Sequence, residues 1–151
     1  MPAARRHRNL PHLLLRSREA LMAHFRPLLA AHGLTEQQWR IVRELGEQGP
    51  LEPRQLGTAC SISSPSIAGV LARMEETGLV ARERMAHDQR RVRVSLSAAG
   101  RRLAEELVPQ IEGRYEALER ALGLRSLNEL CDALDALLAR TPAAGRPSEP
   151  A

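Results

Sequence analysis

Ile67, Val70, Leu71 and Met74 recur at helical spacing behind Ser64 and Pro65, and the apolar period then drops to two. Ser64 suits an N-cap, Pro65 suits the first helical position where a missing N–H costs nothing, and Gly78 suits a helix end. After Gly78, Val80, Arg82 and Arg84 alternate with their neighbours up to Met85, and Val92, Val94 and Leu96 alternate with Arg93 and Ser95. That pattern predicts a hairpin with one apolar face. Its tip, Ala86 to Arg91, is polar and longer than a tight two-residue loop.

The same reasoning places the other elements. Leu10, Leu14, Leu21, Phe25 and Leu28 form a helical stripe that Gly33 ends, with Pro27 expected to bend it and Arg18 falling on the stripe itself. A capping box, Thr35 with Gln38, opens a second helix running through Glu47 with Trp39, Val42 and Leu45 inward, and Gly49-Pro50 stops it. A short helix from Pro53 to Cys60, with Leu56, Ala59 and Cys60 inward, is joined by Ser61-Ile62-Ser63 to the Ser64 helix. Two helices on so short a turn form a helix-turn-helix, and the hairpin makes it winged. Ser97 begins a long helix striped by Leu103, Leu107, Ile111, Tyr115, Leu118 and Leu122, which Pro109 should kink and Gly123 closes. Ser126 with Glu129 reads as a capping box for a last helix, Leu127 to Arg140. The expected fold is mostly α with a small β-hairpin wing. Residues 1–9 read as a flexible basic arm, 35–96 as the winged lobe, 10–34 and 97–140 as dimerisation helices, and 141–151 as a disordered tail.

Charge adds a direction to that fold. The chain of 151 residues has a net charge of +4, but residues 1–102 carry 17 Arg against nine acids while residues 103–151 carry five against nine. Between Arg82 and Arg93, five Arg oppose only Glu83 and Asp88. A basic ribbon beside a helix with a small polar face suits a nucleic-acid duplex. One Trp, one Tyr and one Phe are too few for base stacking on single strands, which favours duplex DNA over RNA. No apolar run is long enough for a bilayer span or a secretory signal, so a cytoplasmic protein without a membrane partner is expected. Cys60 and Cys131 lack CxxC spacing and the five His form no HExxH, so neither a metal, a cofactor nor a disulfide is implied, and no nucleophile, base and orienting group assemble into an enzyme site.

Asp88-Gln89-Arg90, followed by Val94, Leu96, Ser97 and Gly100, resembles the wing signature of the MarR (multiple antibiotic resistance) regulators, DxR followed by VxLTxxG, with Ser97 in place of the usual Thr. The run Leu34-Thr35-Glu36-Gln37-Gln38-Trp39-Arg40-Ile41-Val42-Arg43, with Phe25-Arg26-Pro27 before it and Gly78-Leu79-Val80 after it, resembles the branch of that family typified by repressors of homoprotocatechuate degradation. The resemblance covers roughly residues 10 to 140. It implies a homodimer joined through its terminal helices, which also answers their surplus of apolar positions.

With Ile67, Val70, Leu71 and Met74 inward, Pro65, Ser66, Gly69 and Arg73 face outward, where small residues admit base edges and Ser63, Ser64 and Ser66 can bond phosphate or bases. Arg90 is expected in the minor groove, Asp88 pairing with a neighbouring Arg to fix the tip, and Arg84 and Arg91 on phosphates. Arg16, Arg18, Trp39, Arg40 and Arg43 lie where the resemblance implies an effector site, and guanidinium beside indole suits a flat aromatic acid. The alternative for these Arg is internal ion pairing with Glu19, Glu36 or Glu44. The expected function is a repressor of an aromatic-compound catabolic operon, released from a palindromic operator by a small aromatic or heteroaromatic carboxylate. The alternatives are a switch by oxidation of Cys60 and an effector-independent architectural DNA binder.

Overall fold

The computed structural model describes residues 7–141; the first six residues of the expected arm and the expected tail from residue 142 lie outside the described residues. The elements run α1 (Leu10–Ala31), α2 (Glu36–Gln48), α3 (Pro53–Ala59), α4 (Ser64–Glu76), β1 (Val80–Met85), β2 (Asp88–Leu96), α5 (Ala98–Leu122) and α6 (Leu124–Arg140). The chain forms two compact units that part between Ile111 and Glu112.

In the first unit the core gathers where α1 ends and α2, α3, α4 and the hairpin meet. Phe25, Leu28 and Leu29 of α1, Trp39, Ile41, Val42 and Leu45 of α2, and Leu56 of α3 are buried, as are Ile67, Val70, Leu71 and Met74 on the inner face of α4. At about 1.5–3 kcal/mol for each fully buried large aliphatic side chain, that inner face alone holds α4 firmly against its neighbours. On α3 the inward positions are Leu56, Gly57 and Cys60, and Ala59, expected inward, is exposed. Gly57 packs closely against the turn to α4, where a Cβ would stand 3.1 Å from the Ile62 carbonyl oxygen.

Capping follows the sequence closely at two helices and departs from it at two others. Thr35 accepts from the Gln38 N–H at 3.2 Å, and the Gln38 side chain returns to the Thr35 N–H at 3.1 Å. Ser97 accepts from the Gly100 N–H at 3.0 Å and donates to the Gly78 carbonyl at 2.5 Å, so one hydroxyl caps α5 and ties it to the end of α4. Serine does here what the resembled threonine would do. The residue that caps α4 is Ser63, one position earlier than expected, because Ser64 already has helical geometry. Similarly α6 begins at Leu124 with Gly123, at φ 82°, as its cap. Ser126 therefore sits inside the helix, and Glu129 accepts from Arg125 at 3.0 Å instead of closing a capping box. Pro27 and Pro109 both lie inside continuous helices.

The hairpin differs most from expectation. Val80 pairs with Leu96, Arg82 with Val94 and Arg84 with Val92, but Met85 pairs with Asp88, so the turn itself is only Ala86 and His87. The register jump leaves Gln89, Arg90 and Arg91 without partners on β1. What looks in sequence like a long loop is a tight turn beside a bulge, which re-aims side chains without lengthening the tip. Leu51, ahead of α3, exchanges two backbone hydrogen bonds with Val94, at 3.0 and 2.7 Å, adding a single-residue bridge to the ribbon.

In the second unit Leu118 is the one buried large apolar side chain among the described residues, while Leu122, Leu124, Leu130 and Leu138 are exposed. No residue of α6 is buried. In the first unit the N-terminal half of α1 is similarly bare, with Leu10 and Leu15 exposed.

Candidate nucleic-acid interface and effector cleft

The outer face of α4 carries Ser64, Pro65, Ser66, Gly69 and Arg73, all exposed, behind the exposed cap residue Ser63. Pro65 supplies helical φ in the first turn, and the Ser63 hydroxyl donates to the Ser66 hydroxyl at 2.9 Å, which holds both oxygens at the helix N-terminus. Gly69 is not required by packing, since a Cβ there would meet nothing within 4 Å. A glycine kept inside a helix with open space over it costs stability and leaves room for something outside the chain.

The five ribbon arginines have different surroundings. Arg82 pairs with Glu75 of α4 at 2.8 Å, and Arg91 pairs with Glu52, the residue that precedes α3, at 2.5 Å. Arg84 donates to the Gln89 carbonyl at 3.0 Å, across the hairpin. Arg93 stands opposite Glu83 in the register. Asp88 accepts from the Arg90 backbone N–H at 3.0 Å, so it shapes the bulge through the main chain, and its charge also acts on the neighbouring Arg91 guanidinium. Among the described residues the Arg90 side chain meets no carboxylate, and it is exposed. The Glu52 carboxylate raises the Arg91 pKa above its ordinary value by hydrogen bond and charge.

Sequence reasoning passed over Arg54, which lines a crevice with Ser63 and Ser64 at the junction of α3 and α4. It also passed over Glu52 and Glu75. The available signal for Arg54 was a cation in the first turn of a helix, where the dipole disfavours it.

The five residues expected at the effector site are not brought together. Arg18 pairs with Glu36, and at 3.7 Å with Glu19, while Arg26 binds Glu19 through two contacts at 2.9 and 3.0 Å and reaches Glu36 at 3.8 Å. The charge on the α1 stripe is therefore exposed and paired within the chain, and the Arg26 hydrogen bond lowers the Glu19 pKa. Arg40 donates to the Cys60 carbonyl at 2.6 Å. Arg16 is exposed on α1. Trp39 and Arg43 do share a site, a cleft of about 570 Å³ between α2 and α5 whose wall also includes Val42, Arg101, Ala104 and Val108. Arg43 donates to Glu47 at 2.9 Å at its rim. Arg101, which the sequence reading did not single out, meets no carboxylate among the described residues. Its signal was again a cation in a first helical turn. An apolar slot with guanidinium groups at its edge can take a flat ring bearing an anionic group.

Cys60 is buried, and burial raises its thiol pKa, with the nearby Glu44 charge adding to the effect. A protonated, enclosed thiol is a slow nucleophile. Among the described residues no group of three or more His, Cys, Asp or Glu could hold a metal ion, and no helix is long and apolar enough to cross a membrane.

Residues 32–91 match the model of the MarR family. The chain is 41% identical over 134 residues to the HTH-type transcriptional regulator FarR of Neisseria gonorrhoeae, covering 89% of this chain and 92% of that protein. It is 39% identical over 133 residues to the homoprotocatechuate degradative operon repressor of Escherichia coli, covering 88% and 90%. Its fold matches the crystal structure of NadR in complex with 4-hydroxyphenylacetate with a TM-score of 0.80 at 42% identity, over 94% of this chain and all of that one.

Proposed function

The chain belongs to the MarR family of transcriptional regulators, and from that premise we propose that it represses a catabolic operon for aromatic compounds until a small aromatic or heteroaromatic carboxylate releases it. The observation that carries the DNA-binding part is the outer face of α4, small and polar from Ser63 to Arg73, with the basic bulge of the ribbon beside it. A helix of that surface enters a major groove, and Arg90 on the wing reaches the adjacent minor groove. The apolar residues left bare on α1 and α6, among them Leu10, Leu15, Leu130 and Leu138, are covered by a second copy of the chain. Two copies read a two-fold symmetric site, with their α4 helices about one turn, ~34 Å, apart.

The cleft at Trp39 receives the effector. Its ring packs against Val42, Ala104 and Val108, and Arg43 and Arg101 are the groups offered to the carboxylate. The NadR complex holds 4-hydroxyphenylacetate, an acid of this class, and supports the choice. Because the cleft joins α2 to the start of α5, which Ser97 fastens to the end of α4, a ligand that wedges it differently in two states shifts the pose of α4. A tenfold loss of operator affinity needs about 1.4 kcal/mol of differential binding.

The test is release of the protein from a duplex selected by it out of a random-sequence pool, with hydroxylated benzoates, phenylacetates and nicotinates added in turn. At least one acid of the set is expected to lower affinity tenfold or more. If none does and peroxide alone releases the protein, the effector is not of this class.

A further inference from the structure

Two ties hold β2 against the start of α3, and a cap within the first turn of α3 fixes the residue that makes the second. Leu51 and Val94 exchange two backbone hydrogen bonds, Gln55 caps the Glu52 N–H at 2.9 Å, and the Glu52 carboxylate takes the Arg91 guanidinium at 2.5 Å. The last of these reaches into the bulge, where Gln89, Arg90 and Arg91 have no partners on β1. Arg90 is thus flanked on both sides by restraints. Its own N–H is held by Asp88 at 3.0 Å, Arg84 closes on the Gln89 carbonyl before it, and Glu52 holds the residue after it.

We propose that Glu52 and Arg91 form a positioning pair: Arg91 fastens the bulge to the start of α3 so that Arg90 keeps a fixed pose beside α4, and Arg91 itself neutralises no phosphate. This deepens the DNA-binding reading and rests on it. The side chains of Arg91 and Glu52 are 56% and 24% exposed, and an exposed ion pair adds little to folding stability. Its effect appears in binding, as ordering already done before DNA arrives. Two arrangements are distinguishable by sign. If Glu52 is only a negative charge near the phosphates, removing it tightens DNA binding; if it positions Arg91, removing it weakens binding although a repulsive charge has gone.

The experiment titrates wild type, Glu52→Gln, Arg91→Gln, the double variant and Arg90→Gln onto the duplex selected by wild-type protein from a random-sequence pool, at several salt concentrations. Alongside, hydrogen exchange of the Arg90 and Arg91 amides is followed in free wild type and free Glu52→Gln. Glu52→Gln and Arg91→Gln are each expected to weaken binding by roughly 1.5- to 5-fold per chain, the range of an exposed pair, with the double variant no weaker than either. The slope of log affinity against log salt should hold for Arg91→Gln and fall by about 0.9 for each Arg90 removed. Exchange at both amides should quicken in Glu52→Gln. Equal or tighter binding by Glu52→Gln, or a slope lost in Arg91→Gln as in Arg90→Gln, overturns the pair. If Arg90→Gln changes neither affinity nor slope, the reading of the wing as a DNA contact fails instead, and unchanged exchange in free Glu52→Gln overturns the fastening on its own.

Discussion

Arg40 of α2 donates to the carbonyl oxygen of Cys60 at 2.6 Å, setting a cation at the C-terminal end of α3, where the helix dipole and unpaired carbonyls favour one. This contact fixes α3 against α2 and gives Arg40 a structural task. Arg40→Ala is expected to lower unfolding free energy by about 1–3 kcal/mol, as for a lost charged hydrogen bond, while effector affinity stays within twofold. Denaturant titration and calorimetry read the two effects separately. A large loss of effector affinity at unchanged stability would contradict the assignment.

Gly69 sits mid-helix on the outer face of α4 with open space over it. Gly69→Ala should stabilise the free protein by roughly 0.5–1 kcal/mol through helix propensity and weaken duplex binding several-fold, because the added methyl enters the space kept for base edges. A gain in melting temperature with affinity intact would show that this face does not approach DNA closely.

Burial raises the Cys60 pKa, so the group is protonated at neutral pH and enclosed. Its reaction with a thiol reagent in the folded protein should be slow and should accelerate with denaturant, following unfolding. Cys60→Ser is expected to leave release by an aromatic acid unchanged. Rapid native labelling of Cys60, with release of DNA on oxidation, would favour a thiol switch.

Arg101 lines the cleft with Trp39, Val42 and Arg43 and meets no carboxylate among the described residues. Arg101→Ala should therefore weaken binding of an aromatic carboxylate by about 1.5–3 kcal/mol, the scale of a charged hydrogen bond, with little change for the matching neutral amide. Equal losses for acid and amide would mean that Arg101 shapes the slot and does not recognise charge.

The sequence exposes what depends on near neighbours. Thr35 with Gln38, the cap at Ser97, the inner face of α4 and the helix end at Gly78 all follow from spacings of three or four residues. What it hides depends on contacts across the fold. Arg40 finds Cys60 20 residues away, and Arg91 finds Glu52 39 residues away, so neither partner can be read from a local pattern. Gly100 is part of a recognisable motif, yet its reason is tertiary: a Cβ there would collide with the Leu79 carbonyl. The bulge at Gln89 to Arg91 is hidden because three unpaired residues in a strand look the same as three residues of loop. Of the expected effector residues, Trp39 and Arg43 lie one helical turn apart and stay together, while Arg18 is drawn to Glu36 and Arg40 to α3.

Two copies of α4 and the wing are proposed to recognise a duplex by its sequence. The most direct measurement is a titration, by fluorescence anisotropy at physiological salt, of wild-type protein onto the selected duplex and onto a scrambled duplex of equal length and composition. Two chains per selected duplex are expected, with an affinity at least ~10³-fold above that for the scrambled one, the lower end of specific recognition. Equal affinity for both duplexes, or saturation by a single chain, would contradict this recognition.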